Sequence, residues 1–173
     1  MEESPTDRQE KVPGVDQDAA REAGLIFCGA GGLTESQIRA AARKGYGAVG
    51  VIDFDFFSPS NYSRQFCYAD DLYQNKALAV VKNVAGECIL KTEVEGFALS
   101  YEDARPYIDW DRYTVGLCNV DNNEARQAFA DDFLRMRKPA IFCAVSDDAN
   151  CGWVFVQESK PGTPCFGCAF PEM

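Results

Sequence analysis

Histidine is absent from this chain. That removes Ser–His–Asp and Cys–His nucleophilic catalysis, and with them zinc sites built on imidazole. Positive charge is scarce: 17 Lys and Arg stand against 27 Asp and Glu, for a net charge of −10. A surface of that sign disfavours nucleic acid and anionic membrane as partners. It does not disfavour ATP, because a few local cations can bind phosphate within an acidic protein. No apolar run approaches the roughly 20 residues that span a bilayer, and the polar, acidic N-terminus is unlike a signal peptide. Any chemistry must therefore rest on Asp, Arg, Lys, Cys, backbone amides and a bound cofactor.

What is present describes one globular domain. The 173 residues are 46% hydrophobic and 25% charged, enough for a single core. Eight cysteines would suit a disulfide framework in a short secreted chain, but Cys28, Cys118 and Cys143 fall inside strand patterns, where thiols serve as small buried hydrophobes. A reducing cytoplasm is the expected compartment.

The stretch over 24–76 organises the rest. Leu25-Ile26-Phe27-Cys28 reads as a buried strand, and Gly29-Ala30-Gly31-Gly32 as a tight turn. A helical pattern over 35–44 follows, with Thr34 as N-cap and Gln37 as its capping-box partner. A second apolar run over 48–52 ends in Asp53. Strand, glycine turn, helix, strand and acid is the order of a nucleotide-binding βαβ unit. Glycine lets phosphate oxygens approach backbone N–H groups, and the helix N-terminus adds a positive dipole end. Asp53, at a strand's carboxyl end, can accept from ribose hydroxyls. Thr34 stands where the third glycine of G-x-G-x-x-G would fall. Beyond Asp53 come Asn61, Arg64 and Lys76, three groups that hydride transfer does not need and a triphosphate does.

Further helices are expected over 18–23, 76–84, 101–107 and from an Asn123 cap to 137, and further strands over 89–94, 113–118, 140–145 and 153–157, the last antiparallel. Residues 1–12, read alone, look disordered. Strands alternating with helices, without repeats, predict one α/β domain over 1–173, a doubly wound, mostly parallel sheet of Rossmann type. Asp121 follows the fourth strand, at the edge where open α/β sheets meet ligands.

The pieces G-A-G-G-L at 29–33, V-I-D-F-D at 51–55, S-N-Y-S-R-Q at 60–65, the following Lys76, V-D-N at 120–122 and P-C-F-G-C at 164–168 occur in that order. In this the chain resembles the ThiF/MoeB/HesA family, the adenylating domain shared with ubiquitin-activating enzymes. The resemblance implies ATP-dependent adenylation of the C-terminal carboxylate of a ubiquitin-like or sulfur-carrier protein. Under it, Gly29, Gly31 and Gly32 shape the turn near adenosine and phosphate, and Asp53 takes the ribose. Asp55 and Ser60 belong to the same nucleotide-binding motifs. Asn61, Arg64 and Lys76 neutralise phosphates, and Asp121 holds Mg²⁺ with Asn122 beside it. Residues 1–16 become an extended N-terminal arm whose Arg8 crosses to the ATP site of a second subunit, so a homodimer is implied.

Cys165 and Cys168 look like half of a Cys₄ zinc ribbon; the family's second C-x-x-C lies farther downstream than Met173, so the C-terminal part of the family fold is expected to be missing. A redox C-x-x-C competes, but Pro171 argues against the helix such motifs open. Two other functions remain open on the sequence: a non-catalytic member that binds nucleotide or partner without turnover, and, with less support, an NAD(P)-binding oxidoreductase.

Overall fold

The computed structural model describes residues 4–146 and 148–172. Its centre is a six-stranded sheet in the order β3-β2-β1-β4-β5-β6. The strands are β1 (Gly24–Cys28), β2 (Ala48–Ile52), β3 (Glu93–Phe97), β4 (Val115–Cys118), β5 (Ala140–Val145) and β6 (Gly152–Gln157). The first five are mutually parallel, and β6 runs antiparallel to β5. The helices are α1 (Asp7–Glu10), α2 (Gln17–Glu22), α3 (Gly32–Arg43), α4 (Lys76–Glu87), α5 (Tyr101–Ala104), α6 (Asn123–Met136) and α7 (Phe166–Ala169). This is the doubly wound Rossmann order, and the chain reverses direction across the sheet between β1 and β4.

β1 and β2 are apolar at almost every position because helices cover both of their faces. On one face Phe27, Val49 and Val51 pack with Ile38, Ala41 and Ala42 of α3 and with Ala77, Val80 and Val84 of α4. The alanines let both helices lie close to the strands. On the other face Ile26, Cys28, Ile52 and Cys118 meet Phe129 and Phe133 of α6, whose rings stack with centroids 4.4 Å apart. Phe142 and Phe166 extend this aromatic layer toward β6. Each large side chain so buried contributes about 1.5–3 kcal/mol. The layers fix the strand ends, and so fix the site.

Several local expectations are corrected. The third strand is Glu93–Phe97, not 89–94. Residues 88–92 are used to leave α4: Cys88 Sγ and Thr92 Oγ1 both donate to the Ala42 carbonyl, and Ile89 stays 83% exposed. α3 starts two residues before Thr34, at Gly32, with Gly31 as its N-cap. Thr34 is fully buried, and its hydroxyl and Gln37 Oε1 accept from Asn119 Nδ2 instead of closing a capping box. α6 is capped by Asn122, whose Oδ1 accepts the Ala125 N–H at 2.7 Å, and Asn123 is the first helical residue. The expected helix over 101–107 is α5 followed by a 3₁₀ turn over Arg105–Tyr107. The N-terminal segment is neither disordered nor simply extended over 4–16: it contains α1, buries Thr6, and docks Gln9 Nε2 on the Lys44 carbonyl at 2.9 Å. A short helix, α7, does follow Cys165, since Pro171 comes only after that turn has ended. Among the described residues no helix is long and apolar enough to cross a membrane.

Candidate functional site

The turn after β1 uses its glycines in different ways. Gly29 continues the sheet, its N–H donating to the Ile52 carbonyl at 2.8 Å, and then turns at φ +94°, a region that favours glycine. Gly32 permits close packing: a β carbon there would stand 2.5 Å from the Arg64 carbonyl oxygen. Gly31 needs neither reason. A β carbon on it would meet nothing within 4 Å. The space above Gly31 is therefore open, and beneath it α3 begins. Its first hydrogen bonds run from Thr34 N and Glu35 N back to the Gly31 carbonyl, so the N–H groups of Gly31, Gly32 and Leu33 precede the helical ladder. Open space over unpaired N–H groups at a helix head is an anion site in waiting.

Asp53 closes the opposite wall. Leaving β2, it accepts the Ala30 N–H on Oδ2 at 2.7 Å and the Asp55 N–H on Oδ1 at 2.8 Å. Burial pushes its carboxyl above the ordinary value, while those two N–H groups and Lys76 pull it back. The glycine turn and the acid thus form one hydrogen-bonded unit. Lys76, buried in the first turn of α4, places Nζ 2.9 Å from Asp55 Oδ2. Asn75 caps α4 through the Leu78 N–H and donates to the carbonyls of Asp53 and Asp55, locking the acidic segment to the head of that helix.

The loop between Asp55 and Asn75 crosses in front of α3. Ser58, Ser60 and Asn61 bond among themselves; Asn61 is buried, and its Oδ1 accepts from the Ser58 N–H and hydroxyl. Arg64 is exposed, with its carbonyl against Gly32. Asp121 is also exposed, and among the described residues it has neither hydrogen bond nor ion pair. Asn122 spends its side chain on the α6 cap. Arg8 lies exposed on α1 without a hydrogen-bonded partner among the described residues.

The structure therefore brings together Gly29, Gly31, Gly32 and Asp53, pairs Asp55 with Lys76, and seats the backbone of Arg64 on the glycine turn. It establishes no contact between these groups and Asp121, Asn122 or Arg8. The open head of α3 and the cation on α4 suit a nucleoside triphosphate. For Mg²⁺ the fit is a single free carboxylate, Asp121, which suits an ion that takes its remaining ligands from phosphates and water. No group of three or more Asp, Glu, Cys or His among the described residues is placed to hold a metal. Cys165 Sγ and Cys168 Sγ are 3.1 Å apart, but two thiols do not make a closed zinc site.

Three contributors lie outside the residues singled out from the sequence. Asn75 has a local signal, an N-cap residue directly before a helical run. Asn119 and Glu35 have none. Asn119 reaches Thr34 and Gln37 from the end of β4, and Glu35, a charged residue in an amphipathic helix, turns inward to accept the Phe66 N–H.

The chain is similar to known proteins. A model of the ThiF family matches residues 6–173. A sulfur carrier protein adenylyltransferase of Thermus thermophilus is 28% identical over 160 residues, covering 90% of this chain and 58% of the relative. The ubiquitin-like modifier-activating enzyme 5 of Arabidopsis thaliana is 27% identical over 171 residues, with 87% and 38% covered. Among solved structures, E. coli MccB with succinimide superposes with a TM-score of 0.76 at 20% identity, over 88% of this chain and 46% of MccB. At that identity the likeness speaks for the fold. The chain spans between 25% and 58% of the length of the curated relatives it matches and under half of MccB.

Proposed function

The chain belongs to the ThiF family, and from that premise we propose that it binds ATP over the glycine turn and adenylates a carboxylate, the C-terminal one of a ubiquitin-like or sulfur-carrier protein. A carboxylate oxygen attacks the α-phosphorus, the bond from that phosphorus to the α–β bridging oxygen breaks, and pyrophosphate leaves with the electron pair. No protein nucleophile is required, which suits a chain without histidine. The protein's work is to orient two anions and disperse charge.

The observation that carries this reading is the open space at Gly31 beside a hydrogen-bonded Asp53 and a buried lysine. In the proposal Asp53 orients the ribose, and the head of α3 receives phosphate. Lys76 and Arg64 supply positive charge, Lys76 exchanging part of its contact with Asp55 for a phosphate oxygen. Ser60, Asn61 and Asn122 shape the site; the bonds they make support loop and helix ends. Mg²⁺ bound at Asp121 would screen the phosphate charge. Arg8 would act from a second copy of the chain, making the working unit a homodimer. Pairing with a carrier protein is supported by what the Thermus relative is named for.

The test is ATP–pyrophosphate exchange that depends on an added carrier protein ending in a free carboxylate, with calorimetry of ATP–Mg²⁺ against NAD beside it. Binding of NAD but not ATP would sink the reading. ATP binding without exchange for any carrier would reduce the chain to a nucleotide-binding member. Sedimentation at tens of micromolar showing only monomer would remove Arg8 from the site.

A further inference from the structure

Arg64 sits on a loop, and a loop must be held if it is to present a charge at a fixed place. The contacts that hold it converge on α3. Gly32 touches the Arg64 carbonyl so closely that no side chain would fit between. Gln65, 7% exposed, packs its stem toward Gly32. Arg39 lays its guanidinium 5.4 Å from the centre of the Phe66 ring while pairing with Glu87 at 3.1 Å. Between Gly32 and Arg39, Glu35 turns into the protein, 1% exposed, and accepts the Phe66 N–H on Oε2. Among the described residues this is the one hydrogen bond from a side chain of α3 to the backbone of that loop.

A carboxylate at this depth is not a packing choice. Burying it carries a desolvation penalty that the helix dipole offsets only in part. That penalty shows in its acidity: burial raises Glu35 to about 7, with the Phe66 N–H, Arg39 and Lys76 pulling it down and Asp71 pushing it up. An apolar residue would fill the space more favourably but would leave the Phe66 N–H unpaired. We infer that Glu35 is a positioning residue: its carboxylate latches the loop over 58–68 onto the head of α3 and so presets Arg64 beside the glycine turn for a triphosphate.

This rests on the ATP reading above, and the experiment separates the two. Glu35→Met keeps the volume and removes the acceptor; Glu35→Gln keeps an acceptor and removes the charge. Both are compared with wild type in melting temperature, in amide exchange at Phe66, and in calorimetric affinity for ATP–Mg²⁺ and for adenosine. In Glu35→Met, Phe66 exchange should rise about tenfold and ATP affinity should fall about tenfold, the worth of one lost hydrogen bond. Adenosine, which needs no Arg64, should bind as before, and Glu35→Gln should keep the wild-type Phe66 exchange and ATP affinity. If Glu35→Met does not fold, Glu35→Ala replaces it, and the Glu35→Gln result is still required. Faster exchange with unchanged ATP affinity would make the contact merely structural and overturn the proposal. So would Glu35→Gln losing ATP affinity like Glu35→Met, since the charge and not the latch would then matter. Wild type that fails to bind ATP would overturn the nucleotide reading itself, and with it any role for Glu35 in presetting Arg64; the exchange data would then record a structural hydrogen bond only.

Discussion

β2 and β4 both run out into an acid at the carboxyl edge of the sheet, yet Asp53 and Asp121 are held in opposite ways. Asp53 is half-buried, with each carboxylate oxygen accepting a backbone N–H, and burial lifts its pKa against them. Asp121 stands in solvent with no partner among the described residues. One carboxylate is part of the fold, held in a fixed position from which, in the proposed reading, its remaining lone pairs would meet a ligand. The other is uncommitted, which is the condition for gathering a hydrated cation. A group built into the structure cannot be removed without damage to the fold; a group left free can be removed with damage to binding alone.

The largest effect should fall on activity. Asp121→Ala and Arg64→Ala, both at exposed side chains, should each lower carrier-dependent pyrophosphate exchange by about 10²–10³-fold, the usual worth of one preorganised charge at a reacting phosphate. Asp121→Ala should also abolish the Mg²⁺ dependence of ATP binding while leaving metal-free adenosine contacts. Full exchange in both variants would remove these residues from the site.

Next comes Asp53→Ala, where fold and ligand losses combine. The Ala30 N–H would lose its acceptor in a half-buried turn, and the Asp55 N–H would lose one beside it. Leaving such groups unpaired costs about 2–4 kcal/mol, and at 2–4 °C per kcal/mol the melting temperature should fall by roughly 5–15 °C. A variant that melts with wild type would erase the contrast with Asp121.

Acidity gives the third and smaller effect. Glu35 holds its proton up to about pH 7 in the native state, against an ordinary 4.5 when unfolded. Between those values the native protein binds more protons than the unfolded chain, so stability falls as pH rises across that window and is level above it. The fall should be on the order of 2 kcal/mol, and Glu35→Gln should flatten it. Urea midpoints at pH 5 and pH 7.5 measure both. Equal slopes in variant and wild type would assign the pH dependence to another group.

The legible parts of this molecule are those fixed by neighbours in sequence. The apolar runs of β1 and β2, the glycines between β1 and α3, and the acid after β2 all follow from periodicity and turn chemistry, and the sheet formed as they require. The illegible parts depend on residues far away in the chain. Thr34 and Gln37 match a capping box, but Asn119, some 80 residues on, takes both side chains, and Gly32 lets α3 start early against the Arg64 carbonyl. β3 begins late because the segment before it is drawn to the Ala42 carbonyl and because Arg112 gathers Glu93 and Glu95. Glu35 is a charged residue with no sequence signal for burial, yet it is among the least exposed of the described residues. At the site the sequence supplied the residue types, and long-range contacts decided which carboxylates were tied and which were free.

The smallest expected effect is the most discriminating one. Asp121→Ala should change unfolding stability by no more than about 0.5 kcal/mol, the usual range for surface substitutions without partners. Two opposing contributions set that figure. Asp121 precedes the Asn122 cap of α6, so its charge favours the positive end of the helix, worth about 0.3–1 kcal/mol at an exposed site. Removing it also relieves a chain of net charge −10 of one negative group, which acts the other way. The cap itself survives, because Asn122 Oδ1 and not Asp121 accepts the Ala125 N–H. A melting temperature within about 2 °C of wild type is therefore expected, together with the activity loss above. A fall of more than about 2 kcal/mol would mean that the carboxylate is bound within the fold, as in the loss of a buried pair's partner. Asp121 would then be a second Asp53, and the case for a free carboxylate at the metal would fail.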